Sequence, residues 1–502
     1  MNILPRRRFL ATTAGALAGL GDLGFISSLP RVSAAEAEIG PKMVRFRPEM
    51  EPLVKLLSET PRERLLEEVA ARIKQGVTYL DLLAAVFLAG VRDIQPRPVG
   101  FKFHAVLVIN SAHLAAQAAR DDDRWLPLFW AMDQYKSSQA RNVQEGNWHL
   151  PPVEESKVPP SHKARAAFID AMEAWDPAAA DAAVAGFGRA AGANELFELF
   201  AKYGARDFRH IGHKAIYVAN SYRALNTIGW QHAEPVLRSL TYALMAHEGG
   251  NPSKRDARED HAGRRNRELA GRIRSEWLDG APDDGAVAGM LAALREANDD
   301  TAADKVVELL NRGVAPQSVW DALFAGANEL MMRAPGIRSL HAVTTTNAIH
   351  YAWKMCANDE TRRWLLLQNA SFIPMFRGEP GKGTEIDKFE PLALQAAGPG
   401  ALEEIFADVS RDKNTAAAKA LSHLQAAGDG ESFRDAAQRL IYLKGTDSHD
   451  YKFSSAALED YAHISPKWRD RFLAASVFYF KGSENPDNDL VRRTRAALAV
   501  TG

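Results

Sequence analysis

Cysteine is nearly missing from this chain: Cys356 stands alone among 502 residues. No intrachain disulfide can form, and zinc or iron–sulfur ligation by paired cysteines is excluded. Charge of one sign is missing as well, since 62 Lys and Arg residues face 63 Asp and Glu. Nucleic-acid and anionic-membrane binders normally carry a basic excess, so neither class is favoured. Beyond the N-terminal leader no apolar run approaches the length of a membrane span. Strand-like alternation between hairpin turns is absent, as are a Gly-x-Ser-x-Gly elbow, a phosphate-cradling P-loop and an H-E-x-x-H pair. Acyl-transfer, nucleotide and metalloprotease chemistry therefore lose their usual sequence signals.

What is present begins at the N-terminus. Arg6-Arg7-Arg8-Phe9-Leu10 follows the R-R-x-F-L pattern and precedes a mild apolar run from Ala11 to Leu20. Small residues from Val32 to Ala37 then offer cleavage sites of the A-x-A kind. The expectation is a twin-arginine (Tat) signal peptide over 1–37. It would hand a folded protein to the Tat translocase for delivery to the periplasm or beyond.

The remainder reads as one helical unit written twice. Residues 65–77 resemble 302–314, and His104-Ala105-Val106, Asn110 and His113 recur as His341-Ala342-Val343, Asn347 and His350. Ala191-Gly192, Glu195 and Phe197 match Ala427-Gly428, Glu431 and Phe433, and His213 matches His449. All these pairs hold one register, an offset of 236–237 residues. Thr60-Pro61-Arg62-Glu63 reads as a capping box, and apolar residues then recur at 3–4 spacing in both copies. The period is far longer than that of TPR or HEAT solenoids. The fold expected is all-α, an internally duplicated helical bundle with pseudo-two-fold symmetry. Copy one covers 38–247 and copy two 298–502. Between them lies 248–297, where the charge-dense stretch Lys254–Asp260 reads as a solvated linking helix. Two Pro/Gly-rich loops, 146–160 and 377–391, hold comparable places and are long enough to serve as lids or as plain surface insertions.

Six of the 14 histidines fall at three duplicated positions. Packing alone tolerates Leu, Gln or Tyr, so retention of His at the same places in both copies points to a shared requirement. His104 and His113 are nine residues apart, about 900° of helical rotation, and so face opposite ways. One member of each such pair can face a centre while the other packs behind. His104 and His341 are preferred over His113 and His350 because Ala-Val follows each in a more apolar stretch. With His213 and His449 they would place two imidazoles from each copy on one metal ion. His210 shares a face with His213 and is an alternative. Imidazole suits Fe, Cu, Ni and Zn, so the ligand set alone does not name the metal. Lys452, three residues after His449, shares its helical face. As an ammonium it would repel a metal; as a carbamate formed with CO2 it would supply an anionic oxygen.

The duplicated helical layout, the scattered single histidines and the segment Asp447-Ser448-His449-Asp450-Tyr451-Lys452 resemble the questin oxidase-like family. That resemblance implies non-haem Fe(II) held by His104, His213, His341, His449 and a carboxylated Lys452. It further implies an open position for O2 or substrate and an aromatic, quinone-like small molecule as substrate. Phe101, Phe103, Trp130, Tyr217, Tyr222, Trp353 and Tyr451 are candidate walls of an apolar pocket between the copies. Two other readings stand beside it. One is a hydrolytic or structural zinc site (Cu being a further option for the ion), and the other is a helical scaffold in which the histidines are inherited without a role.

Overall fold

A computed structural model describes residues 44–499, apart from 45, 379–382 and 429. The expected signal peptide over 1–37 and part of the 377–391 loop lie outside the described residues. Within them the chain is all-α: helices and short 3₁₀ turns are joined by loops, and the one β-bridge pairs Ala281 with Val314. No helix among the described residues is long and apolar enough to cross a membrane.

Five helices position the site: α1 (His104–Leu107), α2 (Ile109–Ala118), α3 (His213–Ile228), α4 (Ile337–Met355) and α5 (Ser448–Asp460). α2 packs on α3, α3 on α4, α4 on α5 and α5 on α2, which closes a four-membered ring. α1 leads into α2 with Val108 between them, so the helix expected over 101–120 is interrupted rather than continuous. α4 is the centre of the molecule. Every residue from Ser339 to His350 is buried, so no face of it is polar-solvated. That burial explains the run Thr344-Thr345-Thr346, which would be a poor choice on an exposed helix.

Two local expectations are corrected. The helix Arg62–Lys74 begins at Pro61 without a side-chain cap, so Thr60-Pro61-Arg62-Glu63 forms no capping box. Thr78 and Asp81 form one instead, opening the buried helix Tyr79–Asp93. The charged stretch 254–260 is not a helix either. It consists of 3₁₀ turns at Pro252–Lys254 and Arg258–Asp260, and the next helix starts only at His261.

Candidate metal centre

The four helices that carry the clustered histidines begin at the same place. His104 and His213 are the first residues of α1 and α3, His449 the second of α5, and His341 lies one turn into α4. α3, α4 and α5 therefore point their positive ends toward the cluster. His104, His341 and His449 offer ring nitrogens within 4.8 Å of one another. The Nε2 of His213 lies 2.8 Å from Nε2 of His104 and 2.8 Å from Nε2 of His341. Histidines from four distant segments thus meet at one point.

The far side of each ring fixes its tautomer. His213 Nδ1 is 2.6 Å from the His210 carbonyl, and His341 Nδ1 is 2.6 Å from the Ile337 carbonyl. His449 Nδ1 is 2.5 Å from Asp447 Oδ1. His104 bonds to the Phe101 backbone. A carbonyl can only accept, so Nδ1 carries the proton and Nε2 presents a lone pair. Burial, above all, pushes the pKa values of His104, His213 and His341 well below the usual histidine range, so these rings are neutral. The result is a set of lone pairs facing one another with no proton between them. His449 Nε2 has no hydrogen-bond partner among the described residues.

Lys452 completes the cluster. Its side chain is buried beside His104, His213 and His341, and Nζ has no partner among the described residues. Burial lowers its pKa to about 7, so near neutral pH a large share of the amine is uncharged.

Backbone strain concentrates on the segments that aim these rings. Of five non-glycine residues with positive φ among the described residues, three lie within three positions of a cluster histidine: Phe101 (49°), His210 (53°) and Ile211 (44°). Gly212 follows at 78°, and a Cβ there would stand 2.0 Å from Thr345 Oγ1 of α4. Gly100 has φ 129°, and its Cβ would crowd the His213 ring at 3.1 Å. Strain of this kind persists only where the surroundings over-determine it. Here a buried ion cluster does so: Lys214 pairs with Asp207 at 2.9 Å, and Arg209 pairs with Asp260 at 2.6 Å.

The remaining sequence candidates lie elsewhere. His113 Nδ1 bonds to the Tyr79 hydroxyl at 3.2 Å. His350 packs against Trp320, Phe324 and Trp353. His210 contributes a carbonyl, not its ring. The expected aromatic pocket wall is largely corrected. Phe103 packs on Tyr217, Trp353 joins Trp277 and Trp320, and Tyr222 lines a separate small apolar cavity with Phe197 and Phe200. Along the chain Phe103 directly precedes His104, Tyr451, stacked on Trp130, directly precedes Lys452, and Phe101 lies three residues before His104. Asp447 was not singled out from sequence as the partner of His449. The Asp-x-His spacing at a helix start was its available signal, because an N-cap carboxylate can reach both the backbone and the imidazole two residues on.

Comparison of the chain with protein-family models, with curated proteins and with solved structures gives no match.

Proposed function

We propose that this protein is a metal-dependent oxygenase, holding non-haem iron through His104, His213, His341, His449 and a carboxylated Lys452, and acting on an aromatic, quinone-like small molecule. The observation that carries the reading is the convergence of bare Nε2 lone pairs, each ring oriented by an oxygen behind it. Neutral imidazoles whose lone pairs point at one another repel unless a cation lies between them. Oxygen partners behind the rings are the usual device for orienting metal-binding histidines.

Several features favour iron over a closed zinc site. Nitrogens about 2.0–2.1 Å from one ion stand roughly 2.9 Å apart at a right angle and roughly 3.3 Å apart at the tetrahedral angle. The 2.8 Å spacings match the first. Five donors also exceed the four of a structural zinc site. Neutral His104, His213 and His341 bring no charge of their own, and Asp447 supplies one anion behind His449, so a dication would be only partly compensated; a Lys452 carbamate would supply a second negative charge. When bound, iron would supply O2 activation. The protein's own residues orient the ligands through Asp447, Ile337, His210 and Phe101, and exclude water by burial.

An apolar substrate is supported by the outer rim. Phe101 is 66% exposed and Ile337 50% exposed. Both sit on residues whose backbone holds a ligand ring. An aromatic molecule approaching the cluster from that side would meet these two side chains first. The same reading takes the ligands as two from each duplicated half and the product as Tat-exported. Elemental analysis of protein expressed with ample iron tests the metal, and O2 uptake with a naphthoquinone or a phenol tests the chemistry. About one iron per chain and substrate-dependent O2 uptake are expected. Full zinc occupancy, or no metal at all, would overturn the proposal.

A further inference from the structure

The two sequence copies aim their second histidine by different means. His449 follows Asp447, an N-cap residue whose carboxylate holds both the backbone and the ring. No residue from Gly445 to Ser448 is left-handed there. His213 follows Gly212, which offers no side-chain cap, and its ring is held by a backbone carbonyl instead. That carbonyl belongs to His210, so the orienting bond lies wholly inside the segment His210–His213. Three successive residues of the segment, His210, Ile211 and Gly212, take left-handed φ values. Such a segment does not keep its shape unaided, and its ends must be fixed from outside.

Asp207 fixes both ends. It accepts from the N–H of Arg209, the residue before the segment, at 3.1 Å. Its two oxygens accept from the ammonium of Lys214, the residue after the segment, at 3.0 and 2.9 Å. Asp207 and Lys214 are both buried. The Arg209 guanidinium continues to Asp260 of the linking segment through hydrogen bonds of 2.6 and 2.9 Å. The Glu259 carbonyl of the same segment accepts from the Phe208 N–H at 2.9 Å. Gly263 comes so close that a Cβ there would stand 2.1 Å from the Arg206 carbonyl oxygen. Trp175, itself left-handed at φ 55°, has Arg206, Lys214 and Arg209 at 3.9, 5.5 and 5.7 Å from its ring centroid. Stability alone does not ask for this arrangement. A buried ion pair is seldom better than two apolar side chains of similar volume, because both charges lose their water. What the pair supplies is a defined geometry.

We propose that Asp207 is a positioning residue for the metal centre: through Arg209 and Lys214 it holds the turn that aims His213 Nε2 at the neighbouring rings. The inference rests on the reading of His213 as a ligand. Asp207 is not among the clustered donors and acts only through its neighbours. The register between the copies supports an exchange of braces. Where copy two has Asp447, copy one has Ile211, and where copy one has Asp207, copy two has Leu443. Each copy thus keeps one carboxylate for its second histidine, at a different place. The linking segment becomes part of the site as well, since Asp260 anchors the arginine that Asp207 grips.

Cobalt(II) alone is the probe, because its visible absorption reports the donor set without iron, O2 or turnover. The full-length chain is stripped of metal by a chelator, and unfolding in urea is recorded for every variant. Asp207→Asn by itself strands buried cations, so it is combined with Lys214→Met, which removes the pair as a unit. This double variant is expected to unfold close to the parent's urea midpoint. It should nevertheless bind Co(II) about 10-fold to 100-fold more weakly, with an altered visible band. In a His213→Ala background the same two changes should alter the affinity by less than about twofold, since no ring is left to aim. A purely structural loss would weaken both backgrounds alike. An affinity equal to the parent's, or a loss that recurs in full without His213, overturns the role of Asp207. If the double variant does not fold, Asp207→Glu, which keeps the charge but displaces it by one methylene, passes through the same cycle with the same expectation. A parent chain that takes up no Co(II) overturns the metal centre itself, and the role of Asp207 with it.

Discussion

His213 Nε2 faces His341 Nε2 across 2.8 Å, and neither nitrogen carries a proton. Two lone pairs at that distance repel, and burial keeps both rings from relieving the contact by taking up a proton. A bound cation turns the repulsion into two coordinate bonds. His213→Ala and His341→Ala should each lower metal content below about one tenth of the parent value in elemental analysis. His113→Ala and His350→Ala should leave it intact, since neither ring belongs to the cluster. Equal loss in all four would remove the distinction.

Asp447 has two duties that can be separated. Its Oδ1 accepts from the His449 backbone N–H at 2.7 Å, capping α5, and from His449 Nδ1 at 2.5 Å. The hydrogen bond from His449, first among the causes, lowers its pKa to about 2, so it is an anion across the physiological range. Asp447→Asn keeps a good N-cap and removes the charge behind the ring. Its expected cost is roughly 10-fold to 100-fold in metal affinity, by competition with a chromogenic chelator. Stability toward urea should change by less than about 1 kcal/mol.

The turn before α3 predicts a coupled pair. Gly212→Ala brings Cβ against Thr345 and places a side chain at φ 78°. The combined clash and strain should destabilise the fold by about 2 kcal/mol or more in urea unfolding and move His213 off the cluster. Adding Thr345→Ala should recover part of that loss, leaving the left-handed strain of about 1–2 kcal/mol. A double variant no better than Gly212→Ala would place the cost elsewhere.

Acid should weaken the metal-free protein through the same rings. A histidine whose pKa falls on folding binds its proton only in the unfolded chain. Its stabilisation is therefore complete above pH of about 6.5 and declines as pH drops below it, by up to about 1.4 kcal/mol per pH unit and ring. His104, His213 and His341 all behave this way. Urea midpoints between pH 7 and pH 5 should fall less steeply in His341→Gln than in the parent chain.

How much of this was legible depended on whether a residue's partner was local. Helical class followed from 3–4 spacing, and the nine-residue interval correctly set His104 apart from His113 and His341 from His350. Retention of His at matching offsets singled out the four rings, though the duplication behind that argument is itself a reading of sequence. Lys452 was reached by helix spacing from His449. The failures were tertiary. The interruption between α1 and α2, the left-handed turn at His210–Gly212 and the Thr345 contact depend on neighbours far along the chain. The aromatic wall failed because Phe103, Trp353 and Tyr222 found partners in separate clusters, and spacing carries no information about which cluster an aromatic joins.

The order of the four histidines along the chain has a bearing on biosynthesis. As the polypeptide emerges from the ribosome, 345 residues separate the first ring, His104, from the last, His449. No fragment that ends before His449 owns all four rings, so capture of an ion by the four would follow their assembly and could not template it from the first ring alone.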